Sequence, residues 1–407
     1  MKEFFDVIDI DEVLVLKEQF EIVGAGRAPL DDLLGRFLAE DVVADRDIPG
    51  FDRSTMDGYA VSAGSTYGAS EANPAYLNVV GSVGMGQVPA HGVGPGEASR
   101  IATGGMLPQG ADSVVMVEHA AAVDDTTIEV YHSVAPGQHV VAKDEDAADG
   151  EVMLRSGCRL RAQEIGLLAA LGLPTVKAFD FPRVGIISTG DEVVPVDADP
   201  RPGQVRDVNA YTLAALIRQA GGRPIRYGIV KDQYDALLEV CRRALAETDM
   251  VLVSGGSSVG TRDLTVEVLA ALDESAILVH GVSISPGKPT ILARCGAKAF
   301  WGLPGHVTSA MVVFMVLVRP FLIHIGGGAA EAPVRLRARL SRNVASSQGR
   351  VDFVRVRLAG REGEMWAEPV LGASGLIRTM VAADGLVAVD MNSEGLDKGA
   401  EVDVLLF

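Results

Sequence analysis

Short apolar runs alternate with stretches of helical periodicity between residues 180 and 325, and this rhythm constrains the fold more than any other feature of the chain. Apolar runs predict strands at residues 184–188, 225–230, 250–254, 277–282, 290–293 and 299–303. Helices are predicted at residues 209–220, 234–246 and 264–272, followed by a long final helix that begins at His306. Strands that are apolar on both faces and alternate with helices are typical of a parallel sheet covered on both sides. The sequence therefore predicts a doubly wound α/β domain over residues 180–325.

The segments on either side follow other patterns. Residues 1–43 show two stretches of helical spacing, the second running from Leu30 to Leu38 after Pro29. A helix at residues 162–171 is expected to return to these N-terminal helices, so 1–43 and 149–179 are assigned to one discontinuous helical domain; a separate hinge helix is the alternative. Glycine- and proline-punctuated apolar stretches predict an antiparallel β domain over residues 44–148, and alternation predicts a β barrel or sandwich over 329–407.

Charge and cysteine content exclude several classes of protein. The 407 residues carry a net charge of −18, which argues against nucleic-acid binding. Three dispersed cysteines provide neither a disulfide framework nor a zinc site and fit a reducing compartment. The N-terminus lacks a signal-peptide pattern, and the longest apolar run, residues 307–318, is shorter than the roughly 20 residues of a membrane span. A cytoplasmic protein without a membrane partner is expected.

Glycines and carboxylates follow two of the predicted strands. The segment after the strand at 184–188 carries Gly190, Asp191 and Glu192. The segment at the end of the strand at 250–254 runs from Ser254 through Gly255 to Asp263, and both are called strand exits below. Glycine-rich turns expose backbone N–H groups to an anion, but the carboxylates would repel a phosphate. A Mg²⁺ ion held by carboxylates and phosphate oxygens removes that conflict. Taken singly, each of these residues is more often only a turn glycine or a helix-capping acid; two such segments after adjacent strands favour a site instead.

Other polar segments offer further candidates. Lys288 lies between Pro286-Gly287 and Pro289, so a rigid turn presents its ammonium as a point charge for an oxyanion; an ordinary turn is the alternative. His306 stands at a predicted helix start, where a cap is more common than a ligand. Eight arginines between residues 335 and 361 indicate solvated strand faces, with anion or acidic-partner binding as the alternative. Neither a P-loop nor a dinucleotide-binding glycine motif occurs.

Several of these segments, in this order, resemble the molybdopterin molybdenumtransferase family, the group of MoeA and the gephyrin E domain. The resemblance extends over nearly the whole chain and rests on residues 51–60, 100–104, 188–192, 207–209, 254–263, 286–289 and 303–305. It implies a four-part subunit and a homodimer in which the β domain of one subunit faces the α/β domain of the other. It also implies insertion of molybdate into adenylylated molybdopterin, with Mg²⁺ and release of AMP. An upstream adenylyltransferase is a further implied partner.

The resemblance also suggests roles for individual residues. Glu192 and Asp263 would organise the cation, while Asp232, Asp57 and Thr103 match further catalytic positions. The residues implied in substrate binding are Ser254, Gly255, Gly256, Ser257, Gly260, Lys288, Pro289, Ser309, Arg350 and Ser374.

Two positions depart from the family pattern. Many members have a lysine where this chain has Ser285, and they commonly read Pro-Gly-Asn-Pro-Val-Ser where this chain has Pro304-Gly305-His306-Val307-Thr308-Ser309. Both departures lie where the oxyanion would bind, so molybdate and tungstate both stay open as substrates.

Two other functions remain as alternatives. The α/β domain alone resembles molybdopterin adenylyltransferases, for which ATP consumption and pyrophosphate release would be diagnostic. A non-catalytic scaffold of the same fold would present its barrel to a partner, but retention of Glu192, Asp263 and Lys288 argues against it.

Overall fold

The computed structural model describes residues 7–255, 264–331 and 333–407. The chain forms two compact units. The larger unit comprises residues 1–40, 156–165 and 175–407, and the smaller comprises 41–155 and 166–174. The four-part division expected from the sequence is finer than these two units and stays a prediction.

The larger unit contains a six-stranded sheet with helices on both faces. Its strands are β1 (Arg183–Thr189), β2 (Arg223–Val230), β3 (Met250–Ser254), β4 (Ser275–His280), β5 (Ile291–Cys295) and β6 (Lys298–Leu303), in the order β2-β1-β3-β6-β5-β4. Its helices are α1 (Asn209–Gln219), α2 (Tyr234–Glu247), α3 (Leu264–Ala270), α4 (Val307–Val313) and α5 (Arg319–Ile325), with a π-helical turn at Phe314–Val318 between the last two. A short parallel pair, Val193–Val194 with Val205–Arg206, follows β1.

Side chains of the central strands are buried on both faces of this sheet. Ile186 and Leu252 join one core cluster with α1 and the final helices, whereas Ile187 and Val253 join a second cluster with α2 and α3. Because successive residues of a strand point to opposite faces, both must be apolar when both faces are covered. The predicted doubly covered α/β layer is therefore confirmed.

The prediction of an entirely parallel sheet is wrong for one strand, β5, whose two pairings are both antiparallel. β1, β2, β3 and β6 are parallel, but β5 pairs antiparallel with both β6 and β4. Only residues 296 and 297 separate β5 from β6, and a parallel connection needs a crossover of a dozen residues or more. Connection length therefore decides the direction of β5.

The final helix forms the centre of one core cluster. Phe314, Leu317 and Phe321 are almost completely buried in it. Among the described residues, one helix, Val307–Ile325, has the length and apolar composition that could cross a membrane, and 67% of its apolar stretch is buried inside the protein. The helix is longer than the apolar run seen in the sequence because it continues through Arg319 and Pro320.

A closed five-stranded barrel ends the larger unit. Its strands are β7 (Arg335–Leu340), β8 (Val351–Arg361), β9 (Glu364–Pro369), β10 (Gly385–Val389) and β11 (Glu401–Leu406), in the order β8-β9-β7-β11-β10, with β10 pairing back to β8. Shorter elements are the pair Val344–Ala345 with Gly395–Leu396 and the helix Arg378–Val381. Leu340, Val356 and Val404 fill the interior. The structure thus decides between the barrel and the sandwich that the sequence left open.

The N-terminal segment is less helical than predicted. The first helix is present as Ile10–Val15, continued by a 3₁₀ turn at Leu16–Gln19. The second predicted helix is wrong: Ala25–Pro29 is a strand paired with Thr175–Phe179, and only a 3₁₀ turn, Leu30–Asp32, follows it. Pairing with a distant strand overrides the local helical spacing, and Gly35, with a φ of 85°, would interrupt a helix. The segment after residue 149 thus returns to the N-terminal segment by strand pairing.

A six-stranded sheet forms the centre of the smaller unit. In spatial order its strands are Ser113–Met116, Gly58–Val61, Glu97–Ile101, Ala75–Val83, Thr127–Val130 and Ala120–Ala122. All pairings are antiparallel except that of Ala75–Val83 with Glu97–Ile101, so the predicted antiparallel β domain is confirmed apart from this pair. Two short pairs, Val42–Val43 with Val152–Leu154 and Arg53–Ser54 with Val140–Val141, complete it. The helix Ala162–Ala170 contributes residues to both units.

Candidate functional site

The carboxyl ends of four parallel strands meet at one edge of the α/β sheet. In the sheet register, Thr189 at the end of β1 pairs with Val230 of β2. Ser254 at the end of β3 pairs with Ser188 of β1 and with Leu303 of β6. Ligands of open α/β sheets bind at this edge. The residues that follow these strands are therefore the first candidates for a site.

Glycine is required where the exits of β1 and β3 approach each other. Gly255 has a φ of 107°, and a Cβ at this position would lie 2.4 Å from the carbonyl oxygen of Thr189. Gly305, after β6, would place a Cβ 3.7 Å from the Cα of Gly255. The segments that follow three strands thus approach one another through bare backbone, and the N–H of Gly255 donates a hydrogen bond of 3.1 Å to the carbonyl oxygen of Leu303.

Acidic side chains line the same edge. The Thr189 hydroxyl donates a hydrogen bond of 2.9 Å to Oδ1 of Asp232, and the Lys231 ammonium donates one of 2.9 Å to the carbonyl oxygen of Asp191. Glu192 is exposed, and its carbonyl oxygen accepts the N–H of Val205 at 2.9 Å. These contacts hold the β1 and β2 exits together and leave Glu192 and Asp232 solvent-accessible.

The donors at this edge fit Mg²⁺ as a substrate-bridging ion rather than as a caged one. In the ranges 7–255, 264–331 and 333–407, no group of three or more histidine, cysteine or acidic side chains could hold a metal ion. Mg²⁺ does not need such a cage, because it keeps several waters and usually takes one or two carboxylates together with substrate phosphates. Exposed carboxylates beside a glycine turn fit that requirement. Asp263, the second predicted metal ligand, lies outside the described residues, as do Gly256, Ser257 and Gly260.

The start of α1 contributes a buried polar contact that sequence reasoning did not assign to the site. Asn209 is 7% exposed, and its Nδ2 donates a hydrogen bond of 2.9 Å to the carbonyl oxygen of Gly305. Asp207 accepts the N–H of Ala210 at 3.0 Å and so fixes the first turn of this helix. From the sequence alone, an Asp-x-Asn pair at a helix start indicates only capping.

The lysine-bearing turn is held from several directions. Gly287 has a φ of 125°, and a Cβ there would lie 2.5 Å from Cγ2 of Val313 in α4. The carbonyl oxygen of Lys288 accepts the N–H groups of Val282 and Thr290 at 3.0 and 2.9 Å. The Lys288 side chain is exposed, and Pro289 follows it. A fixed backbone that carries an exposed ammonium matches the sequence-based expectation for this turn.

A barrel loop lies against the start of α4. The carbonyl oxygen of Ser374 accepts hydrogen bonds from the N–H and the hydroxyl of Thr308, at 3.1 and 2.6 Å. The Ser374 hydroxyl lies 2.8 Å from Nδ1 of His306. Ser309, 5% exposed, is the next residue of the helix. His306 therefore precedes the helix as expected, but it also contacts a predicted site residue.

Arg350 lies where the barrel meets the lysine-bearing turn. Residues Ile284–Ser285 pair in parallel with the start of β8, so that Ser285 is opposite Asp352. Nε of Arg350 is 3.2 Å from Oδ1 of Asp352. Asp352 was not among the predicted site residues, and an alternating strand pattern gives no signal for it.

Asp57 and Thr103 lie together in the smaller unit. Oδ1 of Asp57 accepts hydrogen bonds from the Thr103 N–H at 2.8 Å and from its hydroxyl at 3.2 Å. These residues are far apart in sequence and were proposed only by family resemblance. The structure places them together on adjoining loops.

Within the larger unit, the predicted residues fall into two groups. One is the sheet edge, and the other is the turn, helix start and barrel loops around the proposed oxyanion position. The first group contains Glu192, Asp232, Ser254 and Gly255; the second contains Lys288, Pro289, Ser309, Arg350 and Ser374. Gly287 contacts α4, which begins directly after the β6 exit, and so connects the second group to the first.

Three family models together match most of the chain. The "MoeA N-terminal region (domain I and II)" matches residues 8–172. The model described as "Probable molybdopterin binding domain" matches residues 185–324, and the "MoeA C-terminal region (domain IV)" matches residues 337–407.

Whole proteins give the same result. A molybdopterin molybdenumtransferase of a Nostoc species is 35% identical over 377 residues, covering 91% of this chain and 86% of the relative. The molybdopterin molybdenumtransferase of Bacillus subtilis is 32% identical over 381 residues, covering 93% and 88%. The crystal structure of a molybdopterin biosynthesis MoeA protein from Pyrococcus horikoshii has a TM-score of 0.83 at 31% identity, covering 99% of this chain and 100% of that protein.

Proposed function

The chain belongs to the MoeA family of molybdopterin molybdenumtransferases, and we propose that it inserts molybdate into adenylylated molybdopterin with release of AMP. It is an enzyme of molybdenum cofactor biosynthesis. The observation that carries the proposal is the sheet edge where the Gly255 turn and the exposed carboxylates Glu192 and Asp232 meet. A substrate with a phosphoanhydride matches such an edge because a cation bound by the carboxylates favours phosphate oxygens.

Mg²⁺ is the cation proposed for this edge. Glu192 would hold it together with Asp263, and when bound it would neutralise charge at the phosphoanhydride. Among the residues of this chain, Thr189 orients the Asp232 carboxylate through its 2.9 Å hydrogen bond. The close contact between Gly255 and Thr189 fixes the backbone against which the phosphates would rest.

The second group of residues is proposed to bind the oxyanion. Lys288 and Arg350 supply positive charge, and Ser309 and Ser374 supply hydroxyl donors. Lysine suits an oxyanion as a point charge, whereas arginine offers several donors in one plane. Molybdate is the proposed substrate, and tungstate, which has the same shape and charge, is the alternative that the assay below includes.

A homodimer is proposed as the active form. A cavity of about 1380 Å³ in the larger unit is lined mainly by the N-terminal helix, the final helix and one end of the barrel. Val334, Val381 and Phe407 line it and are 69%, 80% and 52% exposed. Apolar surface of this kind is typical of a protein interface. In a dimer, Asp57 and Thr103 would act at the site of the partner subunit, as the family resemblance implies.

The cytoplasm is the proposed location of the enzyme. The three free cysteines, two of them buried, suit its reducing conditions. The adenylylated substrate requires an upstream adenylyltransferase, which is a proposed partner in the same pathway.

The test is AMP release from adenylylated molybdopterin with Mg²⁺ and either molybdate or tungstate. Wild-type turnover is expected, whereas Glu192→Gln and Asp263→Asn should abolish AMP release and leave pterin binding largely intact. Glu239→Gln, an exposed glutamate on α2, is the matched control and should behave as wild type. Release of pyrophosphate when ATP is supplied would instead favour the adenylyltransferase function. Full activity of both variants would contradict the proposed role of Glu192 and Asp263 in binding the metal ion.

A further inference from the structure

Asp352 occupies a junction between the two segments that supply positive charge to the proposed oxyanion site. Its side chain is 13% exposed at the start of β8, directly opposite Ser285 in the strand pairing. Ser285 begins the turn that carries Lys288, and Arg350 lies two residues before Asp352. One carboxylate therefore connects the lysine turn with the arginine loop.

Several polar groups converge on this carboxylate. The Ser346 hydroxyl donates a hydrogen bond to its Oδ2, and Nε of Arg350 lies 3.2 Å from its Oδ1. Burial by itself raises the pKa of Asp352, but hydrogen bonds from Ser285 and Ser346 and the Arg350 charge outweigh it, so the pKa lies below its ordinary value. The carboxylate is thus an ionised group that accepts the Ser346 hydrogen bond and attracts Arg350 by charge, since the 3.2 Å approach of Nε of Arg350 does not have hydrogen-bond geometry.

The orientation of Arg350 follows from these contacts. A guanidinium has five N–H donors in one plane and no acceptor. Because Asp352 lies on the Nε side, the terminal NH₂ groups retain donors for another anion. The Arg350 side chain is 43% exposed, so these donors are accessible.

We propose that Asp352 is a positioning residue that fixes Arg350 and the Ser285–Lys288 turn toward one oxyanion. The inference rests on the proposed function and adds a residue to it. It also accounts for Ser285: a lysine there, as in many family members, would place an ammonium next to Asp352 and compete with Arg350 for the carboxylate. With serine, the carboxylate is left to Arg350.

The experiment measures AMP release as a function of molybdate concentration in the full-length protein. Asp352→Asn keeps the shape of the side chain but removes its charge; we expect the apparent KM for molybdate to rise about tenfold, with kcat at saturating molybdate within about twofold of wild type. Asp352→Glu should recover part of the loss. Asp403→Asn, which breaks the exposed pair with Arg337 elsewhere on the barrel, is the matched control and should leave KM unchanged.

A double-mutant cycle separates positioning from general stability. If Asp352 acts partly through Arg350, Asp352→Asn should raise KM by a clearly smaller factor in the Arg350→Ala background than in the wild type, because only the contact with the Ser285–Lys288 turn is then left. An unchanged KM in Asp352→Asn, or the same increase with and without Arg350, would overturn the inference.

Two controls keep the test decisive. If Asp352→Asn does not fold, Ser285→Ala removes one contact and should raise KM by about two- to threefold; an unchanged value counts against the proposal. If the wild-type protein releases no AMP, the proposed function fails, and molybdate binding by calorimetry then decides the role of Asp352. Weaker binding in Asp352→Asn supports the inference, and equal binding contradicts it.

Discussion

Substitution of Gly255 by alanine tests the close approach of β1 and β3 at the candidate site. Gly255 has a φ of 107°, a conformation that costs an L-residue about 1–2 kcal/mol. The new Cβ would also lie 2.4 Å from the Thr189 carbonyl oxygen, so the two strand exits must separate by about 1 Å to restore normal contact. Forced movement in a packed region adds about 1–3 kcal/mol, which gives a total loss of about 2–5 kcal/mol in the free energy of unfolding.

Gly228→Ala is the matched control for this substitution. Gly228 in β2 has a φ of 89°, but nothing lies within 4 Å of the position that its Cβ would take, so only the backbone cost of about 1–2 kcal/mol applies. Urea unfolding of both variants and AMP release from both give the comparison. Gly255→Ala should lose more stability than Gly228→Ala, and its turnover should fall far below that of the control. Equal stability and equal turnover in the two variants would refute the argument that backbone contact shapes this site.

Three further predictions address the dimer, the oxyanion and acid stability. Mixed dimers of Asp57→Asn and Glu192→Gln chains should recover up to about half of wild-type activity, because one of the two shared sites then has both native residues; recovery no greater than the sum of the separate variants would argue against a shared site. Ser285→Lys should change the apparent affinity for molybdate, which identical saturation curves would contradict. A hydrogen bond from Arg161 lowers the pKa of Glu164 to about 2, so this glutamate stabilises the fold above its unfolded pKa near 4.5, and the contribution is lost as the pH falls toward 2. Glu164→Gln should therefore cost about 1–2 kcal/mol in unfolding experiments at pH 6 and much less at pH 2, given the exposure of Arg161; an equal loss at both pH values would exclude the ion pair as the cause.

Local patterns predicted the elements of the α/β layer but not all of their directions. Apolar runs located all six strands of the sheet because both faces of the sheet are buried. Nothing in those runs distinguished β5 from the strands that run in the opposite direction; the short connection between β5 and β6 did so. In the same way, Leu30–Leu38 has helical spacing, yet the adjoining strand Ala25–Pro29 pairs with Thr175–Phe179 about 150 residues away.

The arginine-rich strands illustrate a different limit. The sequence indicated an excess of positive charge between residues 335 and 361, with few acids nearby in the chain. In the barrel, Arg339 lies 3.3 Å from Glu364 and 3.7 Å from Glu401, and Arg357 lies 2.6 Å from Glu368. These acids come from neighbouring strands. Strand pairing in the barrel therefore places a negative charge next to arginines that have no acidic neighbour in the sequence. Arg350, by contrast, lies at the junction with the lysine turn.

The sequence alone determined the α/β rhythm, the glycine and carboxylate exits, the lysine-bearing turn and the family resemblance, because each depends on residues close together in the chain. Tertiary structure decided which distant residues meet. It placed Asp57 against Thr103, Asn209 against Gly305, His306 against Ser374, and Asp352 between Ser285 and Arg350. Strand order and register bring these segments together in space. Hydrogen bonds and ion pairs depend on distances of a few ångströms, which only the packed fold fixes.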